Sequence, residues 1–278
     1  MDHFPPPWAD AVEAVRLWQR LRSAPRSLLM LDYDGTLAPF HEDRFKTVSY
    51  PGVDERLGRL AELARVHLVL VSGRPARELR ALLPTSFRAD IWGSHGREQL
   101  LADGSYKLFA LDSVQQATLQ HVAREMAAQG FPETLELKPS SLAVHWRSFD
   151  PPMQEQIRLR IESVYEDLGK AGRLNLLPFD GGLELRSSDR TKGTAVRHIV
   201  SQEPPGTPAA YLGDDLTDED AFSAMGNRGL TMLVRAEVRR SCAQFWLRPP
   251  QELLSFLDQW IEVSQNQPAP TPAVEAPK

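Results

Sequence analysis

The sequence predicts an α/β protein with a Rossmann-like, doubly wound parallel sheet as its core and a second α/β domain inserted into that core. Two observations predict this fold class. Toward both ends of the chain, short continuous apolar runs alternate with segments of helical periodicity, and each run stops abruptly at a polar cluster. In the middle, apolar and polar residues alternate partially, which is typical of an antiparallel sheet with one covered face.

The N-terminal part contains two such apolar runs, residues 27–31 and 67–71, which end at Asp32 and Ser72. Runs of this length suit strands that are buried on both faces of a parallel sheet. Helical periodicity marks the segments 8–21, 52–64 and 76–83. The C-terminal part repeats the pattern. Strands are predicted at 208–212 and 230–234, and helices at 191–200, 218–225 and 253–263.

The middle of the chain has helical segments at 115–129 and 152–170 and strand-like segments at 134–137, 142–146, 173–177 and 183–186. These elements predict the inserted domain. The resulting division is a helical extension at 1–25, a core at 26–107 plus 187–263, the inserted domain at 108–186, and a disordered tail at 264–278, rich in Pro and Ala.

Composition narrows the functional class. The chain has 278 residues, 32 basic and 37 acidic, for a net charge of −5. Neither a nucleic-acid binder nor a membrane-surface binder is expected, because both require a basic footprint. The single cysteine, Cys242, excludes an intramolecular disulfide and a cysteine-rich zinc site. No signal peptide or membrane span is evident, so we expect a cytoplasmic protein, and a monomer.

The strongest chemical signal is the segment D-Y-D-G-T-L that begins at Asp32, directly after a predicted strand. Asp32 and Asp34 are two positions apart, so both carboxylates can face one small volume, where they repel each other unless a cation lies between them. Oxygen ligands alone favour Mg²⁺ over zinc. Gly35 permits the turn, and Thr36 offers a hydroxyl and backbone amides to an anion. An acidic turn without function is the alternative.

This segment resembles the first motif of the haloacid dehalogenase superfamily of phosphotransferases, D-x-D-G-T after the first core strand. The resemblance implies that Asp32 is the nucleophile and Asp34 the general acid and base. Ser72 matches the second motif, which holds the phosphoryl group, and Lys192 matches the third, a charge-stabilising lysine. Arg74, beside Ser72, is expected to bind substrate together with Thr36.

The fourth motif is the acidic run that starts at Gly213. Asp214 is the expected direct metal ligand, and Asp215 or Asp218 the outer carboxylate. The expected metal set is thus Asp32, Asp34, Asp214, Asp215 and Asp218. Acidic residues also favour helix N-termini, so Glu219 and Asp220 are left to that structural role.

A narrower resemblance extends from about residue 29 to 222. The segments that begin at Gly93, Leu137, Ala143, Leu183 and Gly213 resemble motifs of trehalose-6-phosphate phosphatases. In that family an α/β cap of the C2 type lies between the second and third motifs, as the insertion does here. The resemblance implies that Glu136, Lys138, Arg147 and Glu184 bind the disaccharide. Each could instead form a cross-strand ion pair.

Three other side chains have open assignments. His95, between glycines, is a possible sugar contact, although a lone histidine is more often structural. Trp92 and Trp146 could stack on a sugar ring or belong to the core.

The expected reaction is hydrolysis of trehalose 6-phosphate to trehalose and phosphate, with Mg²⁺ as cofactor and a small disaccharide phosphate as the partner molecule. One alternative is another capped sugar-phosphate phosphatase, acting on sucrose phosphate or a glycosyl-glycerate phosphate. The other is a catalytically silent sensor of a sugar phosphate. The Asp32/Asp34 pair counts against the sensor, because binding alone does not require the second aspartate.

Overall fold

The structure is a computed structural model that describes residues 3–8, 11–41, 46–138, 140–169, 172–179, 181–187 and 189–265. The tail predicted at 264–278 lies outside the described residues from 266 onward. Among the described helices, none is both long enough and apolar enough to span a membrane.

The structure contains an eight-stranded sheet and a four-stranded sheet with helices packed on them. The helices are α1 (Val12–Ser23), α2 (Val53–Glu62), α3 (Ala76–Leu82), α4 (Ser113–Ala128), α5 (Pro151–Val164), α6 (Lys192–Gln202), α7 (Glu219–Met225) and α8 (Gln251–Gln265). The strands are β1 (Ser27–Leu31), β2 (Val66–Val71), β3 (Asp90–Gly93), β4 (Glu98–Leu100), β5 (Tyr106–Leu108), β6 (Leu135–Leu137), β7 (Ser141–His145), β8 (Asn175–Phe179), β9 (Gly182–Arg186), β10 (Ala209–Gly213), β11 (Leu230–Val234) and β12 (Phe245–Leu247).

The larger sheet, with its helices, is called the core below. Its strand order is β12-β11-β10-β1-β2-β3-β4-β5, parallel from β12 to β3 and antiparallel from β3 to β5. The chain moves outward from β1 to β5 on one side and later from β10 to β12 on the other. The order therefore reverses between β1 and β10, and ligands bind beyond the carboxyl ends of strands at such a point.

Both faces of the core sheet are covered, which explains the continuous apolar runs. Along β1, Leu29 and Leu31 pack in a layer with α1, α2, α3 and α8, whereas Leu28 and Met30 pack with α6 and α7 on the opposite face. Fully burying one such side chain contributes about 1.5–3 kcal/mol to stability. The predicted doubly wound α/β fold is confirmed.

The smaller sheet, with α4 and α5, is called the cap below. Its antiparallel strands have the order β6-β7-β9-β8. One face packs on the two helices through Leu142 and Val144 of β7, with Ile157 of α5 and Val122 of α4. The opposite face is directed at the carboxyl ends of the core strands. Alternation along the cap strands therefore separates core-forming from site-forming residues.

Several predicted elements differ in detail from the structure. The strands β4, β5 and β12 were not predicted, because three residues are too few for periodicity to be seen. The strand expected at 173–177 is shifted to Asn175–Phe179, since Arg173 has a positive φ of 58° and lies in the preceding turn. The helix expected at 152–170 ends at Val164, and a wider helical turn continues to Gly169.

The aromatic residues with open assignments lie in the two hydrophobic interiors. Trp92 is buried between the core sheet and α6, and Trp146 packs against the interior of the cap. The helix predicted at 8–21 begins only at Val12. Trp8 precedes it and packs edge-on against Trp18, while residues 9 and 10 are not described.

Candidate active site

The candidate site is a cavity of about 580 Å³ between the core and the cap. Three neighbouring parallel strands end there, since Leu31 of β1 pairs with Leu212 of β10 and with Leu70 of β2. Asp32, Ser72 and Asp214 follow these strand ends. Lys192 is the first residue of α6, and Thr191 caps that helix with a reciprocal bond to Thr194. The sheet topology thus brings together residues from all four predicted motifs.

Lys192 is the positive centre of the site. Its Nζ lies 2.8 Å from Asp32 Oδ1 and 2.8 Å from Asp218 Oδ1, and the lysine is only 3% exposed. Burial would lower the pKa of Lys192, but Asp218 and Asp32 raise it above its ordinary value. Lys192 therefore stays charged. Burial raises the pKa of Asp32 to about 7 despite the nearby ammonium, which leaves this carboxylate short of positive charge.

Asp218 is fully engaged by protein groups. One oxygen accepts bonds from Lys192 and, at 2.5 Å, from the Tyr211 hydroxyl. The other accepts the backbone N–H groups of Asp214 and Asp215 at 3.1 and 3.0 Å. A carboxylate with all its lone pairs occupied orients its neighbours, so Asp218 holds Lys192 and the loop that carries Asp214.

Asp214 has an oxygen without a hydrogen bond, and the Arg235 guanidinium lies 3.9 Å from it. Its Oδ1 accepts a bond from the Thr36 hydroxyl at 3.3 Å, whereas Oδ2 has no hydrogen-bond partner among the described residues although it is buried. Burial and the charges of Asp32 and Asp218 raise the pKa of Asp214 well above its ordinary value. Gly35, at φ 81°, leaves the room for this carboxylate, because a Cβ there would lie 2.1 Å from Oδ2. A buried carboxylate oxygen without a hydrogen bond, beside two other carboxylates, fits the oxygen donor set that a hard divalent cation prefers.

The five aspartates expected to hold metal do not all converge. Asp32, Asp214 and Asp218 offer oxygens within 4.8 Å of one another. Asp34 and Asp215 are not in this cluster of described residues. Asp215 lines the cavity and accepts a bond from the backbone N–H of Leu216, so it caps a helical turn. The sequence left open whether Asp215 or Asp218 is the outer carboxylate. Of these two residues, Asp218 belongs to the cluster and Asp215 does not.

Asp34 is held by Arg74. The guanidinium donates from Nε and Nη2 to the two oxygens of Asp34, both at 2.6 Å, and also bonds to Thr47 Oγ1 and Glu78. Burial would lower the pKa of Arg74, but its bonds to Asp34 outweigh this effect. The pKa of Arg74 is therefore above its ordinary value. Arg74 was expected to bind substrate. Its described partners are protein groups, although it lines the cavity together with Ser72.

Ser72 and Thr36, expected at the phosphate, differ in exposure to the cavity. Ser72 lines it, and its Oγ accepts the backbone N–H of Arg74 at 3.1 Å, which leaves the hydroxyl proton available as a donor. Thr36 is fully buried, and its hydroxyl is used on Asp214. Thr36 therefore supports a predicted metal ligand.

The cap wall of the cavity carries all four predicted sugar-binding residues. Glu136, Lys138, Arg147 and Glu184 line the cavity. Glu136 and Glu184 both face Ala143 in the strand register, which places them on one side of the cap sheet. Lys138 Nζ lies between them, 3.7 Å from Glu136 Oε1 and 3.3 Å from Glu184 Oε1. The cross-strand ion pairs considered from sequence are thus present within the cavity wall.

Glu184 connects the cap to the core through His95. Its Oε2 lies 2.8 Å from His95 Nε2, and its Oε1 accepts the Ser141 hydroxyl at 2.8 Å. Burial would raise the pKa of Glu184, but His95, Lys138 and Arg186 hold it well below its ordinary value. Burial and Arg186 lower the pKa of His95 to about 4. The imidazole is therefore neutral near pH 7 and donates Nε2–H to Glu184, and its buried Nδ1 is an acceptor without a partner among the described residues.

Sequence reasoning missed several residues of the site. Tyr211 and Ser141 bond to Asp218 and Glu184, and as strand residues they carried no signal of their own. Phe40 lines the cavity from the core, with the Arg147 guanidinium 4.6 Å from its ring centroid. His145, a residue of β7, lines the cavity and bonds to Glu136 at 2.8 Å.

Comparison with known proteins agrees with this geometry. The trehalose-phosphatase family profile matches residues 30–245. A trehalose-phosphate phosphatase of Mycobacterium tuberculosis is 31% identical over 265 residues, which cover 90% of this chain and 64% of the relative. An uncharacterized glycosyl hydrolase of the same species is 30% identical over 269 residues, covering 90% of this chain and 19% of that protein. The chain thus spans less than two thirds of the length of these relatives.

Solved structures are similar in fold. The C-terminal domain of a trehalose-6-phosphate phosphatase from Candida albicans superposes with a TM-score of 0.80 at 19% identity, over 94% of this chain and 99% of that one. A phosphatase of the haloalkanoate (HAD) superfamily from Bacteroides thetaiotaomicron superposes with a TM-score of 0.58 at 16% identity, over 87% and 97%. The fold is that of HAD phosphatases with a cap. Because the family profile also covers most of the sequence and every strand end that forms the cavity, the chain belongs to the trehalose-phosphatase family.

Proposed function

We propose that this protein is a Mg²⁺-dependent phosphatase that converts trehalose 6-phosphate and water into trehalose and phosphate through an aspartyl-phosphate intermediate. The observation that carries the proposal is the cluster of Asp32, Asp214 and Lys192 at the reversal point of the sheet, beneath a wall of polar cap residues. Family membership and the activity by which the mycobacterial phosphatase is named support the reaction class and the substrate.

In the proposed first step, a carboxylate oxygen of Asp32 forms a bond to phosphorus as the bond from phosphorus to the sugar oxygen breaks. Lys192 opposes the negative charge that collects on the phosphoryl oxygens, and the Ser72 hydroxyl donates to one of them. The leaving sugar oxygen takes a proton from Asp34. In the second step, Asp34 accepts a proton from water, which attacks phosphorus and releases Asp32 and phosphate.

The proposed cofactor fits the donor set. Asp214 Oδ2 and Asp32 are the oxygens that would hold Mg²⁺, with Asp218 fixing the loop and Lys192 around them. When bound, the ion would supply positive charge to the phosphoryl group and to the crowded carboxylates. Gly35 keeps that volume open, since a side chain at this position would fill it.

The cap wall supports a disaccharide as the leaving group. Sugar hydroxyls both donate and accept, and the wall offers both kinds of partner: Lys138 and Arg147 donate, whereas the Glu136 carboxylate accepts. A volume of about 580 Å³ lies within the usual range for a small-molecule site. For location and assembly, we propose a cytoplasmic monomer, which gel filtration and fractionation would test.

The decisive experiment measures phosphate release from trehalose 6-phosphate, sucrose phosphate, a glycosyl-glycerate phosphate and a small aryl phosphate, each with Mg²⁺ and after exhaustive chelation. We expect the highest kcat/KM for trehalose 6-phosphate and loss of turnover on chelation. Preference for another sugar phosphate would reassign the substrate. Tight binding without release would favour the sensor, and undiminished turnover after chelation would remove the metal.

A further inference from the structure

The chain crosses between core and cap at two linkers, one formed by residues 109–112 after β5 and the other by Ser187 and residues 189–191 after β9. The buried side chain of Arg97 bonds to both of them. Arg97 lies in the core, between the turn Ser94–Gly96 and β4, and is 3% exposed. None of the motifs that carry the reaction includes it.

Arg97 bonds to both linkers. Its Nη1 donates to the backbone carbonyl oxygens of Phe109 and Ala110 at 3.0 and 3.5 Å, and its own carbonyl accepts the backbone N–H of Phe109 at 2.8 Å. Its Nη2 donates to Asp189 Oδ1 in the other linker. A planar guanidinium with several fixed donors can span two chain segments in this way, whereas an ammonium is a single point charge.

Neighbouring contacts also hold the two linkers in position. The Phe109 ring stacks on Trp92 with centroids 5.9 Å apart and planes 11° apart, and the Arg190 guanidinium lies 3.6 Å from the Phe109 centroid. In the second linker, the Ser187 hydroxyl donates to Asp189 and accepts a bond from Gln115 of α4 at 3.1 Å. The linkers are therefore bonded to each other, to the core and to the first cap helix.

We propose that Arg97 is a positioning residue: by clamping both linkers to the core, it sets the pivot about which the cap closes over the cavity. The inference rests on the proposed function for its consequence in catalysis, but not for the pivot itself. The contacts across the cavity, His95 with Glu184 and Arg147 with Phe40, can separate when the cap opens, whereas the linkers stay attached. Arg97 is two residues from His95, so the pivot also fixes the distance at which Glu184 meets the core.

The kinetic test compares Arg97→Lys and Asp189→Asn with Arg158→Lys, a matched change in an arginine that pairs with Glu155 and Glu162 on the outer cap helix. A misplaced cap loses its contacts with the second sugar but does not disturb Asp32. We therefore expect Arg97→Lys to lower kcat/KM for the disaccharide phosphate roughly ten- to a hundredfold, with hydrolysis of a small aryl phosphate hardly changed. Asp189→Asn should lower kcat/KM for the disaccharide phosphate relative to the aryl phosphate by a smaller factor, and Arg158→Lys should leave both values unchanged. Equal losses on both substrates would contradict the proposal.

The pivot can be tested without turnover. In a Cys242→Ser background, Glu55→Cys on α2 and Arg160→Cys on α5 offer exposed label sites in the core and the cap. We expect a broader distribution of label distances after Arg97→Lys or Asp189→Asn than in the parent, each variant first shown to unfold cooperatively. An unchanged distribution in both variants would overturn the pivot. A parent that fails to hydrolyse trehalose 6-phosphate would overturn the proposed function and leave the distance test valid.

Discussion

The two walls of the cavity differ in how their charges are balanced. On the core wall, three clustered aspartates surround Lys192, and a buried oxygen of Asp214 has no hydrogen-bond partner among the described groups and only a distant ion pair, 3.9 Å from Arg235 Nη1. On the cap wall, cations and carboxylates alternate, and Glu184 is bonded by Lys138, Ser141 and His95. The core wall therefore has an excess of carboxylates over cations, whereas carboxylates and cations are paired on the cap wall. Under the proposed function, this contrast would place the chemistry on the core wall and the recognition of the sugar on the cap wall.

The largest expected effect follows from a substitution in the core wall. Asp32→Asn keeps the shape and the bond to Lys192 but removes the nucleophile, so turnover should fall by a factor on the order of 10⁴–10⁶ for every substrate. Phosphate release and thermal unfolding should be measured on the same preparation. Because burial already raises the pKa of Asp32, we expect no loss of stability. Substantial turnover by a fully folded Asp32→Asn protein would falsify the covalent mechanism.

The second-largest effect distinguishes the proposed acid and base, Asp34, from the proposed nucleophile, Asp32. Asp34→Asn leaves the nucleophile intact, so turnover should fall by about 10²–10⁴, the usual contribution of general acid and base catalysis. The loss should be smaller for an aryl phosphate than for the sugar phosphate, because a phenolate leaves with little help from a proton. Arg74→Lys should be measured beside Asp34→Asn, because it removes the bidentate bond to Asp34 and keeps the positive charge. Equal losses for both leaving groups in Asp34→Asn would rule out its role as the acid.

The third effect is confined to the cap wall. Lys138→Ala and Arg147→Ala should each lower kcat/KM for trehalose 6-phosphate about ten- to a hundredfold, since a hydrogen bond to a charged group contributes about 1.5–3 kcal/mol. The aryl phosphate should be unaffected, and Arg158→Ala on the outer cap helix is the matched control. If both substrates lose equally, these residues support the fold and the separation of roles between the walls fails.

Glu184→Ala is a poorer probe of recognition than the two cation variants. The side chain is 3% exposed, and its loss would leave Lys138 and Arg186 without their buried carboxylate. Breaking a buried pair in this way typically destabilises a protein by about 3–5 kcal/mol. Unfolding would then be mistaken for lost binding, so any Glu184 variant should be accompanied by a stability measurement.

The smallest expected effect concerns His67, at the opposite end of the core sheet. Its substitution should leave both walls of the cavity unchanged. His67 Nδ1 is 2.6 Å from Glu203 and Nε2 is 3.1 Å from Asp90. Burial lowers the pKa of His67, but these two bonds more than offset it and raise the pKa above its ordinary value. Because the folded state then holds the proton more tightly, the stabilisation is complete below about pH 6.5 and is lost as pH rises through the folded pKa.

Urea unfolding from pH 6 to 9 checks this expectation. The difference in unfolding free energy between the parent and His67→Gln should shrink with rising pH, by no more than about 1 kcal/mol in total for such partly exposed pairs. Phosphate release should be equal in the two proteins at each pH. A difference that grows toward alkaline pH would show that the imidazole is neutral in the folded protein.

The core wall could be anticipated from sequence because the fold determines where strands end. Asp32, Ser72 and Asp214 each follow an apolar run, and parallel pairing of β10, β1 and β2 brings their ends together. The sequence could not show which oxygens of an acidic run turn inward. Asp215 and Asp218 are three residues apart, yet a helical turn directs one to its own backbone and the other into the cluster.

The cap wall was less accessible to sequence reasoning. Its four polar residues came from family resemblance, since the strands that hold them are short and their pairing depends on loops. Phe40 and Arg97 carried no signal, because one is a lone aromatic in a loop and the other a lone basic residue beside a short strand. Their roles depend on contacts between segments far apart in the chain, which neither periodicity nor spacing records.

The pairing of β1 with β10 has a consequence for the order in which the protein is made. Thr36 and Asp214, which touch across that pair, are 178 positions apart. At about 5–20 residues per second, a ribosome completes β10 roughly ten to forty seconds after β1. The cap, with local strand pairs and an interior of its own, can form during that interval, whereas β1 must wait with an unpaired edge. Asp32, the proposed nucleophile, is thus among the first parts of the site to leave the ribosome, and Asp214, which completes the cluster, is among the last.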